Sequence, residues 1–243
     1  MTSESPTSPP ARPPRGRGAL AFVRDVIVIV VVAVLVSVLI KAFVVRSFYI
    51  PSASMEQTLM VDDKILVDEL TVDWTGYERG DVVVFEDPGG WLEGAETEPP
   101  GGITGAIDWA LNAVGLSASD SEDHLVKRII GMPGDHVQCC NQLGQVTVNG
   151  AGIDELDYLN LPDGSTLAST QDFDVTVPEG AVWVMGDNRN RSRDSRYHNE
   201  QPGGGFVPID KIVGRVVLRT WPLDRFGTLE HSTAAVGVPD AAQ

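Results

Sequence analysis

The sequence predicts a mostly β domain that follows a single N-terminal transmembrane helix. An apolar run of 20 residues extends from Val26 to Val45 and is interrupted by Lys41. As a helix it would span about 30 Å, the thickness of a bilayer core. Downstream, many short apolar runs are separated by Gly and Pro turn signals, a pattern typical of an all-β body.

The composition limits the classes of function. The chain has 243 residues, enough for one good-sized domain or two small ones. Its formal net charge of -16 would repel a phosphate backbone, so we expect no nucleic-acid partner. The sequence contains no CxxC pair and no group of histidines, so we expect neither a metal nor another cofactor. Cys139 and Cys140 are adjacent, and a bridge between neighbours would be strained; a free thiol and a redox-sensitive bridge both stay open.

The first 46 residues are interpreted as a tail and an anchor. Residues 1–24 are rich in Pro, Ser, Gly and Arg and predict a disordered tail, and 25–46 predict the transmembrane helix. A cleaved secretory signal is the alternative, but the apolar core is too long, and Lys41 and Arg46 follow where small residues are needed. The arginines of the tail put it in the cytoplasm and 47–243 outside the plasma membrane.

The pattern of residues 47–226 predicts a body made of short strands. We predict strands at 64–68, 81–85, 125–130, 136–139, 145–148, 173–177, 181–185 and 212–218. Asn149 and Gly150 predict a tight turn. Residues 87–123 predict a surface insertion with a short helix, which rests on the membrane surface or packs against the body, and 227–243 a mobile tail. The insertion's helix is indicated by apolar residues at helical spacing, namely Ile103, Ile107, Leu111 and Val114.

Two serines follow the apolar run closely. Ser52 and Ser54 lie two residues apart in a segment that we expect to be extended, so both hydroxyls would be on the same side. Pro51 fixes its own φ and favours extended geometry at Ile50. A serine-rich turn is the ordinary interpretation of such a segment, and a nucleophile is the alternative.

A lysine lies within one of the predicted strands. Alternation puts Leu125, Lys127 and Ile129 on one face, and Arg128, which we expect to be structural, on the other. Burial disfavours the charged ammonium. A neutral amine can take a proton from a serine hydroxyl. The alternative is a lysine whose stem packs while its head reaches water.

A third stretch begins where an apolar strand ends at Gly186. From there to Arg196 it has a high density of Asp, Asn, Arg and Ser. A solvated polar loop is the simplest interpretation. Such a density of hydrogen-bonding groups also suits a scaffold that fixes a catalytic side chain.

Taken together, these stretches resemble the type I signal peptidases, which are membrane-anchored Ser–Lys peptidases of family S26. The resemblance covers the anchor and most of 47–222. The matching motifs are IPSASM at 50–55, GDVVVF at 80–85, KRIIGMPGD at 127–135 and GDNRNRSRDSR at 186–196. The implied fold is mostly antiparallel β, with several coiled sheets, and is shared with self-cleaving repressors of the LexA type.

The resemblance implies a role for each residue of the motifs. Ser54 would be the nucleophile and Lys127 the general base. The main-chain N–H of Ser54 and the hydroxyl of Ser52 would form the oxyanion hole. Ser192 would hydrogen-bond and orient the Lys127 amine. A Ser–Lys pair is a known variant of the catalytic triad and needs no histidine or metal.

The resemblance also implies structural support and a substrate. Asp194 and Arg196 would brace the loop that carries the orienting serine. The substrates would be signal peptides of exported preproteins, cut after Ala-x-Ala sites, and membrane lipid would surround the anchor. Shallow apolar pockets for small side chains are expected from Phe48, Ile50, Pro51, Met55, Leu59, Ile65, Leu125 and Val126.

Three positions depart from the pattern of the family. Ala53 stands where many relatives have glycine, Leu125 where some have tyrosine, and Asn190 where an acidic residue is common. The competing hypotheses are a membrane-anchored β domain that binds a partner without catalysis, a self-cleaving regulator, and a thiol transpeptidase built on Cys139 or Cys140. The anchor and the missing DNA-binding helix pair argue against the regulator, and the cysteines lack a suitable histidine and arginine.

Overall fold

The computed structural model describes residues 17–43, 45–92, 123–162, 164–229, 232, 234 and 237–241. The chain divides into two compact units, Met1–Ile40 and Lys41–Gln243. The first unit contains most of helix α1, and the second contains the β body.

Helix α1 comprises Arg17–Phe43, so it begins within the predicted tail and ends before the predicted boundary at 46. Residues 17–24 include Ala and Leu, which favour helix, while Arg46 lies in the first strand. The apolar side chains that the structure describes between Phe22 and Val34 are exposed. Within the described parts of the chain, no helix has both the length and the apolarity needed to span a membrane. Membrane crossing therefore remains a prediction from the sequence.

In the residues that the structure describes, the body has twelve strands in two antiparallel sheets. The larger sheet has the order β1-β2-β11-β3-β4-β9-β10, with β12 paired to β11, and the smaller sheet has the order β7-β6-β5-β8. The strands are β1 (Val45–Tyr49), β2 (Lys64–Asp68), β3 (Val82–Glu86), β4 (His124–Gly131), β5 (His136–Cys139), β6 (Val146–Val148), β7 (Ala151–Gly152), β8 (Phe173–Thr176), β9 (Ala181–Met185), β10 (Val207–Pro208), β11 (Ile212–Trp221) and β12 (Gly227–Thr228).

Short helices connect some of these strands. The two α-helical turns are α2 (Val72–Thr75) and α3 (Ser195–His198), and the 3₁₀ turns are Ala53–Met55, Ile209–Lys211 and Leu223–Arg225. The predicted mostly β fold with antiparallel sheets is confirmed.

Each of the eight predicted strands is present, with bounds that shift by a few residues. The predicted tight turn is also confirmed: Asn149 and Gly150 have φ of 52° and 79° between β6 and β7, which is the positive φ at both central residues that a two-residue hairpin loop requires. The sequence analysis missed β1, β7, β10 and β12. Three of these have only two residues, too few for an alternating pattern.

Three apolar clusters form the core. One contains Ile65, Val67, Val82 and Val84, and a second contains Val83, Phe85 and neighbouring side chains of β4 and β9. Because the side chains of β3 alternate between these two clusters, both faces of the larger sheet are covered at this point. The third cluster packs the smaller sheet against the end of β9. On β4, the neighbouring polar residues Lys127 and Arg128 are both buried.

Two predicted surface segments are described only in part. Residues 93–122, which include the predicted insertion helix, lie outside the described residues. The segment from Gly227, predicted to be mobile, makes defined contacts where it is described: the N–H of Asp154 donates to the carbonyl of Ala234 at 3.2 Å, and Nδ2 of Asn149 donates to the carbonyl of Pro239 at 2.8 Å. In the smaller sheet, Cys139 and Cys140 are joined as a disulfide.

Candidate active site

The serine pair lies where β1 turns into a 3₁₀ helix. Ser52 is extended, with φ −124° and ψ 155°, and caps the helix Ala53–Met55, which contains Ser54. The expectation of one continuous extended segment was wrong, because the helix begins directly after Ser52. The hydroxyls still come together, with 3.2 Å between Ser52 Oγ and Ser54 Oγ. It is the tight turn that brings them close.

The lysine of β4 meets this turn. Nζ of Lys127 lies 2.9 Å from Oγ of Ser54 and donates to the carbonyl of Val126, also at 2.9 Å. Lys127 is only 3% exposed, so the alternative of a lysine whose head reaches water is wrong. Two residues that are 73 positions apart in the chain thus form a buried hydroxyl–amine pair.

Burial decides the charge state of this amine. The pKa of Lys127 is lowered from 10.5 to about 8, chiefly because desolvation disfavours the ammonium. The carboxylates of Asp194 and Asp187 oppose this shift, and the guanidinium of Arg196 adds to it. A substantial fraction of the amine is therefore neutral at mildly alkaline pH and can accept a proton.

Main-chain contacts hold the 3₁₀ turn that contains Ser54 against the loop that follows β9. The carbonyl of Ser54 accepts a hydrogen bond from the N–H of Asn188 at 3.0 Å. Gly186 permits this approach, because a Cβ at that position would lie 2.5 Å from the Ser54 carbonyl oxygen and would collide with Oγ of Ser192. The motif at 186–196 therefore needs glycine at its first position, Gly186, so that the loop can touch the turn that contains Ser54.

The turn leaves one main-chain donor of Ser54 free of the helix. The first N–H groups of a helix have no partner within the helix, and Ser54 is the second residue of the 3₁₀ turn. The hydroxyl of Ser52 lies 3.2 Å from that of Ser54. An oxyanion hole formed by the Ser54 N–H and the Ser52 hydroxyl stays a prediction from the sequence.

Ser192 does not make the predicted contact. Its Oγ is buried and donates to Oδ2 of Asp194 at 2.7 Å, whereas the hydrogen bonds of the Lys127 amine go to Ser54 and Val126. The single hydroxyl proton of Ser192 is committed to the carboxylate, which is a stronger acceptor. Its lone pairs remain able to accept a hydrogen bond from an amine.

Asp194 and Arg196 form a buried ion pair within the loop. Nε and Nη2 of Arg196 donate to the two carboxylate oxygens of Asp194 at 2.7 and 2.8 Å, and the N–H of Gly186 donates to the same carboxylate at 2.9 Å. Burial alone would raise the pKa of Asp194, but Arg196 and these hydrogen bonds outweigh it and lower the pKa. The carboxylate therefore stays charged within the core.

A second buried ion pair, which the sequence analysis missed, links β4 to the loop after β9. Nε and Nη2 of Arg128 donate to Asp187 at 2.8 and 2.7 Å. Thr58, four residues after Ser54, donates to the same carboxylate at 2.5 Å. The pair joins the neighbour of Lys127 to the segment that follows Ser54. Arg128 was expected to be structural, but its carboxylate partner could not be chosen from the sequence.

A third buried pair lies beneath this loop. The guanidinium of Arg189 is paired with the carboxylate of Glu155, and its Nε donates to the carbonyl of Gly186 at 3.1 Å. Tyr158 donates to Glu155 at 2.8 Å and places its ring 3.9 Å from the guanidinium carbon of Arg128. Glu155 belongs to none of the motifs and was missed, since nothing in its local pattern signals burial.

The eight predicted pocket residues do not line one exposed pocket. Five of them are at most 3% exposed and belong to the first core cluster, namely Phe48, Ile50, Met55, Leu59 and Ile65. Val126 packs at the edge of that cluster, whereas Leu125 packs against the second cluster because consecutive strand residues face opposite sides. Pro51 is exposed. The sequence did not show that these side chains are needed to fill the core.

Two strand edges face each other beside the pair. Among the described strands, β1 pairs only with β2, and β4 pairs with β9 only from Arg128 onward. The rings of Phe48 on β1 and His124 on β4 are in contact, with centroids 5.2 Å apart. The open edges of β1 and β4 therefore approach each other near the Ser54–Lys127 pair.

The chain is similar to known proteins over most of its length. The family model described as "Signal peptidase, peptidase S26" matches residues 23–221. The chain belongs to this family. It is therefore an enzyme of the signal peptidase I type, a serine peptidase.

Curated relatives match over most of their length. The signal peptidase I of Mycobacterium tuberculosis is 37% identical over 225 residues, which cover 85% of this chain and 75% of that protein. The signal peptidase I of Leptolyngbya laminosa is 32% identical over 237 residues, which cover 94% and 97%. A crystal structure of a signal peptidase I from Enterococcus faecalis has 27% identity and a TM-score of 0.36, and covers 57% of this chain and 95% of that one.

Proposed function

We propose that this enzyme is a membrane-bound endopeptidase that removes signal peptides from exported preproteins, using Ser54 as nucleophile and Lys127 as general base. The buried contact of 2.9 Å between Ser54 Oγ and Lys127 Nζ supports this function most directly. It combines a hydroxyl with an amine whose pKa is lowered to about 8, which are the two requirements of a Ser–Lys mechanism.

Acylation begins when the neutral amine of Lys127 takes the proton of the Ser54 hydroxyl. The Oγ of Ser54 forms a bond to the carbonyl carbon of the scissile peptide, and the carbonyl electron pair moves onto its oxygen. The N–H of Ser54 and the hydroxyl of Ser52 stabilise that oxyanion, an effect commonly worth a few kcal/mol per donor. The oxyanion then re-forms the carbonyl, the scissile C–N bond breaks, and the ammonium of Lys127 protonates the leaving amine, which is the new N-terminus of the mature protein.

Deacylation repeats these steps with water. The amine of Lys127, neutral again, takes a proton from a water molecule, which attacks the acyl carbon. The bond between this carbon and Ser54 Oγ breaks, the ammonium of Lys127 returns the proton to that oxygen, and the signal peptide leaves with a free carboxylate. Ser192 and Asp194 would fix the loop against the dyad in both steps, so that the donor and acceptor stay aligned.

The space between the open edges of β1 and β4 is the proposed path of the signal peptide. A peptide in extended conformation can add a strand to an open sheet edge and gain affinity from main-chain hydrogen bonds. Val126 lies at the edge of the first core cluster, and Ile50 is buried within it. A path beside a filled core would favour small side chains, which fits a preference for Ala-x-Ala before the cut.

The membrane anchor is proposed from the sequence pattern. The described apolar side chains around α1, from Phe22 to Val34, are exposed to solvent, and a helix that is apolar all round requires an apolar environment. The arginines before it favour a cytoplasmic N-terminus and an extracytoplasmic catalytic body. Extraction of membranes with alkaline carbonate, followed by protease protection of the body, tests both statements.

Cleavage by two variants tests the mechanism. Ser54→Ala and Lys127→Ala are each expected to lower kcat for an Ala-x-Ala preprotein in detergent by at least about 10³-fold, because the nucleophile and base act as one unit. The cut site is mapped by mass spectrometry.

Thr176→Ala is the matched control, since Thr176 lies in β8 on the smaller sheet, outside the proposed site. Both dyad variants should keep the circular dichroism spectrum of the wild type. Normal processing by either of them would refute the proposed dyad.

A further inference from the structure

A short segment outside the motifs, residues 155–160, packs against the active-site loop. It follows β7, and its main chain meets the loop after β9, since the N–H of Asn160 donates to the carbonyl of Asp187 at 2.9 Å. Asn160 also forms a parallel bridge with Asn188. Because the N–H of Asn188 binds the carbonyl of Ser54, the segment and the turn that contains Ser54 both pair with the same loop residue.

Tyr158 of this segment covers the face of a buried guanidinium. Its ring centroid lies 3.9 Å from the guanidinium carbon of Arg128, and an aromatic ring attracts a cation over its face more strongly where water is excluded. In the plane of the guanidinium, two N–H groups donate to Asp187. Nη1 donates to the carbonyl of Gly80 at 2.7 Å, and Nη2 also donates to Thr58 at 3.2 Å. Tyr158 therefore closes one side of a group whose edges are already occupied.

A hydrogen bond fixes the ring in this position. The hydroxyl of Tyr158 donates to Oε1 of Glu155 at 2.8 Å, and Glu155 is paired with Arg189 of the loop. Burial raises the pKa of Tyr158 well above its ordinary value, and the charge of Glu155 adds to this shift, so the phenol stays a donor. Rotation of the ring away from Arg128 would break this buried hydrogen bond.

Arg128 is linked to both members of the Ser–Lys pair. It follows Lys127 directly in β4. Its partner Asp187 also accepts a hydrogen bond from Thr58 at 2.5 Å, and Thr58 lies four residues after Ser54. The position of this guanidinium therefore affects the strand that presents the amine and the segment that presents the hydroxyl.

We propose that Tyr158 is a positioning residue, which acts through the guanidinium of Arg128 to keep the Ser–Lys pair at reacting distance. This inference rests on the proposed function. Because Tyr158 is only 5% exposed, its ring is not available to a bound substrate. Loss of the ring should therefore lower kcat and leave KM nearly unchanged.

Two substitutions separate the ring from its hydroxyl. Tyr158→Leu removes the stacked face and is expected to lower kcat for an Ala-x-Ala preprotein about tenfold, because a small misplacement of reacting groups is costly. Tyr158→Phe keeps the ring over Arg128 and should stay within about twofold of the wild type. An unchanged kcat in Tyr158→Leu would overturn the inference, and so would an equal loss in both variants, since the hydroxyl and not the stack would then be responsible.

Phe173→Leu is the matched control. It removes another buried ring, which lies in β8 on the smaller sheet, and destabilises the protein as loss of a core ring does. If Tyr158 acted only through stability, Phe173→Leu would lower kcat to a similar extent. We expect its kcat to equal that of the wild type.

A kinetic double-mutant cycle tests the route through Arg128. Arg128→Lys keeps a positive charge but lacks the planar, forked group on which the ring stacks. In that background, Tyr158→Leu should lower kcat by less than about twofold, because the contact it removes is already lost. The full tenfold loss in both backgrounds would contradict the proposed route.

Circular dichroism shows whether each variant is folded. Tyr158→Met, whose flexible side chain fills irregular space, replaces Tyr158→Leu in the assays if the leucine variant loses the wild-type spectrum. Loss of the spectrum in both would overturn the inference, because the ring would then be required for folding and not for the geometry of the pair.

The charge state of the amine gives a readout that needs no substrate. The carboxylates of Asp194 and Asp187 favour the ammonium of Lys127, and the guanidinium of Arg196 disfavours it. If Arg128 no longer holds Asp187, less of that carboxylate's charge is neutralised. The ammonium is then favoured further.

Titration by ¹³C NMR separates this inference from the proposed function. The Cε signal of Lys127, assigned by its loss in Lys127→Arg, is expected to titrate about 0.5 pH unit higher in Tyr158→Leu than in the wild type, and at the same pH in Tyr158→Phe. A wild type that fails to cut the preprotein would refute the proposed function. An equal midpoint in the wild type and Tyr158→Leu would instead overturn the inference, whatever the substrate.

Discussion

At the scale of single residues, the chemistry depends on what burial does to one amine. Lys127 is 3% exposed, and its pKa is lowered to about 8 by desolvation. The same burial that makes the amine a base also makes its charged form costly in the folded state. Activity and stability should therefore both report the titration of this side chain.

The pH dependence of activity follows from the direction of the shift. Since the neutral amine is the base, kcat/KM should rise with pH and level off above about 8. Two units below this pKa, about one hundredth of the plateau should remain. Lys127→Arg should show no such rise, because a guanidinium stays protonated. Initial rates from pH 5 to 10 measure the profile, and a flat profile would exclude Lys127 as the base.

The pH dependence of stability comes from the cost of burying the charged form of the same amine. The folded pKa of Lys127 lies below its ordinary value of 10.5, so the stability linked to this group is complete above 10.5 and is lost as the pH falls through about 8. The difference corresponds to about 3 kcal/mol near pH 7, since one pKa unit is about 1.4 kcal/mol. Lys127→Met should therefore raise the free energy of unfolding by up to that amount at pH 6–7, and by little at pH 11.

Urea denaturation at the two pH values measures this effect. Lys64→Met is the matched control, because Lys64 is exposed and its charge has no burial penalty. Equal destabilisation by Lys127→Met at both pH values would show that burial does not disfavour the charged form of the amine.

At the scale of secondary-structure elements, the site is the meeting of a turn, a strand and a loop. The 3₁₀ turn presents Ser54, β4 presents Lys127, and the loop after β9 closes on both. The close approach depends on Gly186, where a Cβ would lie 2.5 Å from the Ser54 carbonyl oxygen. The spacing between elements is therefore set by main-chain contact as well as by the dyad itself.

A glycine substitution tests this contact. Gly186→Ala is expected to destabilise the protein by about 1–3 kcal/mol, as overpacking of a filled site does, and to lower kcat/KM at least tenfold because the turn must move away from the loop. Gly227→Ala is the control, since a Cβ there meets nothing within 4 Å. Thermal unfolding and cleavage rates measure the two effects, and an active, fully stable Gly186→Ala would contradict the packing described.

At the scale of the whole molecule, buried ion pairs connect the parts of the β body. Arg189 of the active-site loop is paired with Glu155, which follows the hairpin of the smaller sheet. Arg128 of the larger sheet is paired with Asp187. Both side chains of each pair are at most 3% exposed. Removal of one partner would leave the other charge buried and unpaired.

A double-mutant cycle tests this coupling. Glu155→Leu alone is expected to destabilise the protein by about 3–5 kcal/mol, because Arg189 loses its counter-charge, whereas Glu155→Leu with Arg189→Met should cost clearly less than the sum of the single variants. Glu86→Gln, which breaks the exposed pair with Lys211, should leave the denaturation midpoint almost unchanged. Additive effects in the cycle would show that the buried pair is not coupled.

The sequence by itself determined the β body and most of its strands, and it supplied the candidates for the reacting residues. Alternating apolar runs and turn signals such as Asn149-Gly150 are local, so they can be read without knowing the fold. The motifs around Ser54 and Lys127 were also local, and their resemblance to one family supplied the roles.

The tertiary structure alone decided which groups touch. It showed that Ser192 donates its hydrogen bond to Asp194 and that Arg189 is paired with Glu155. It also showed that five expected pocket residues lie in the core. These outcomes depend on residues that are far apart in the chain, and local pattern carries no information on such pairs. A buried charge or hydroxyl must be satisfied by whatever partner the fold brings within reach, and that partner is set by packing.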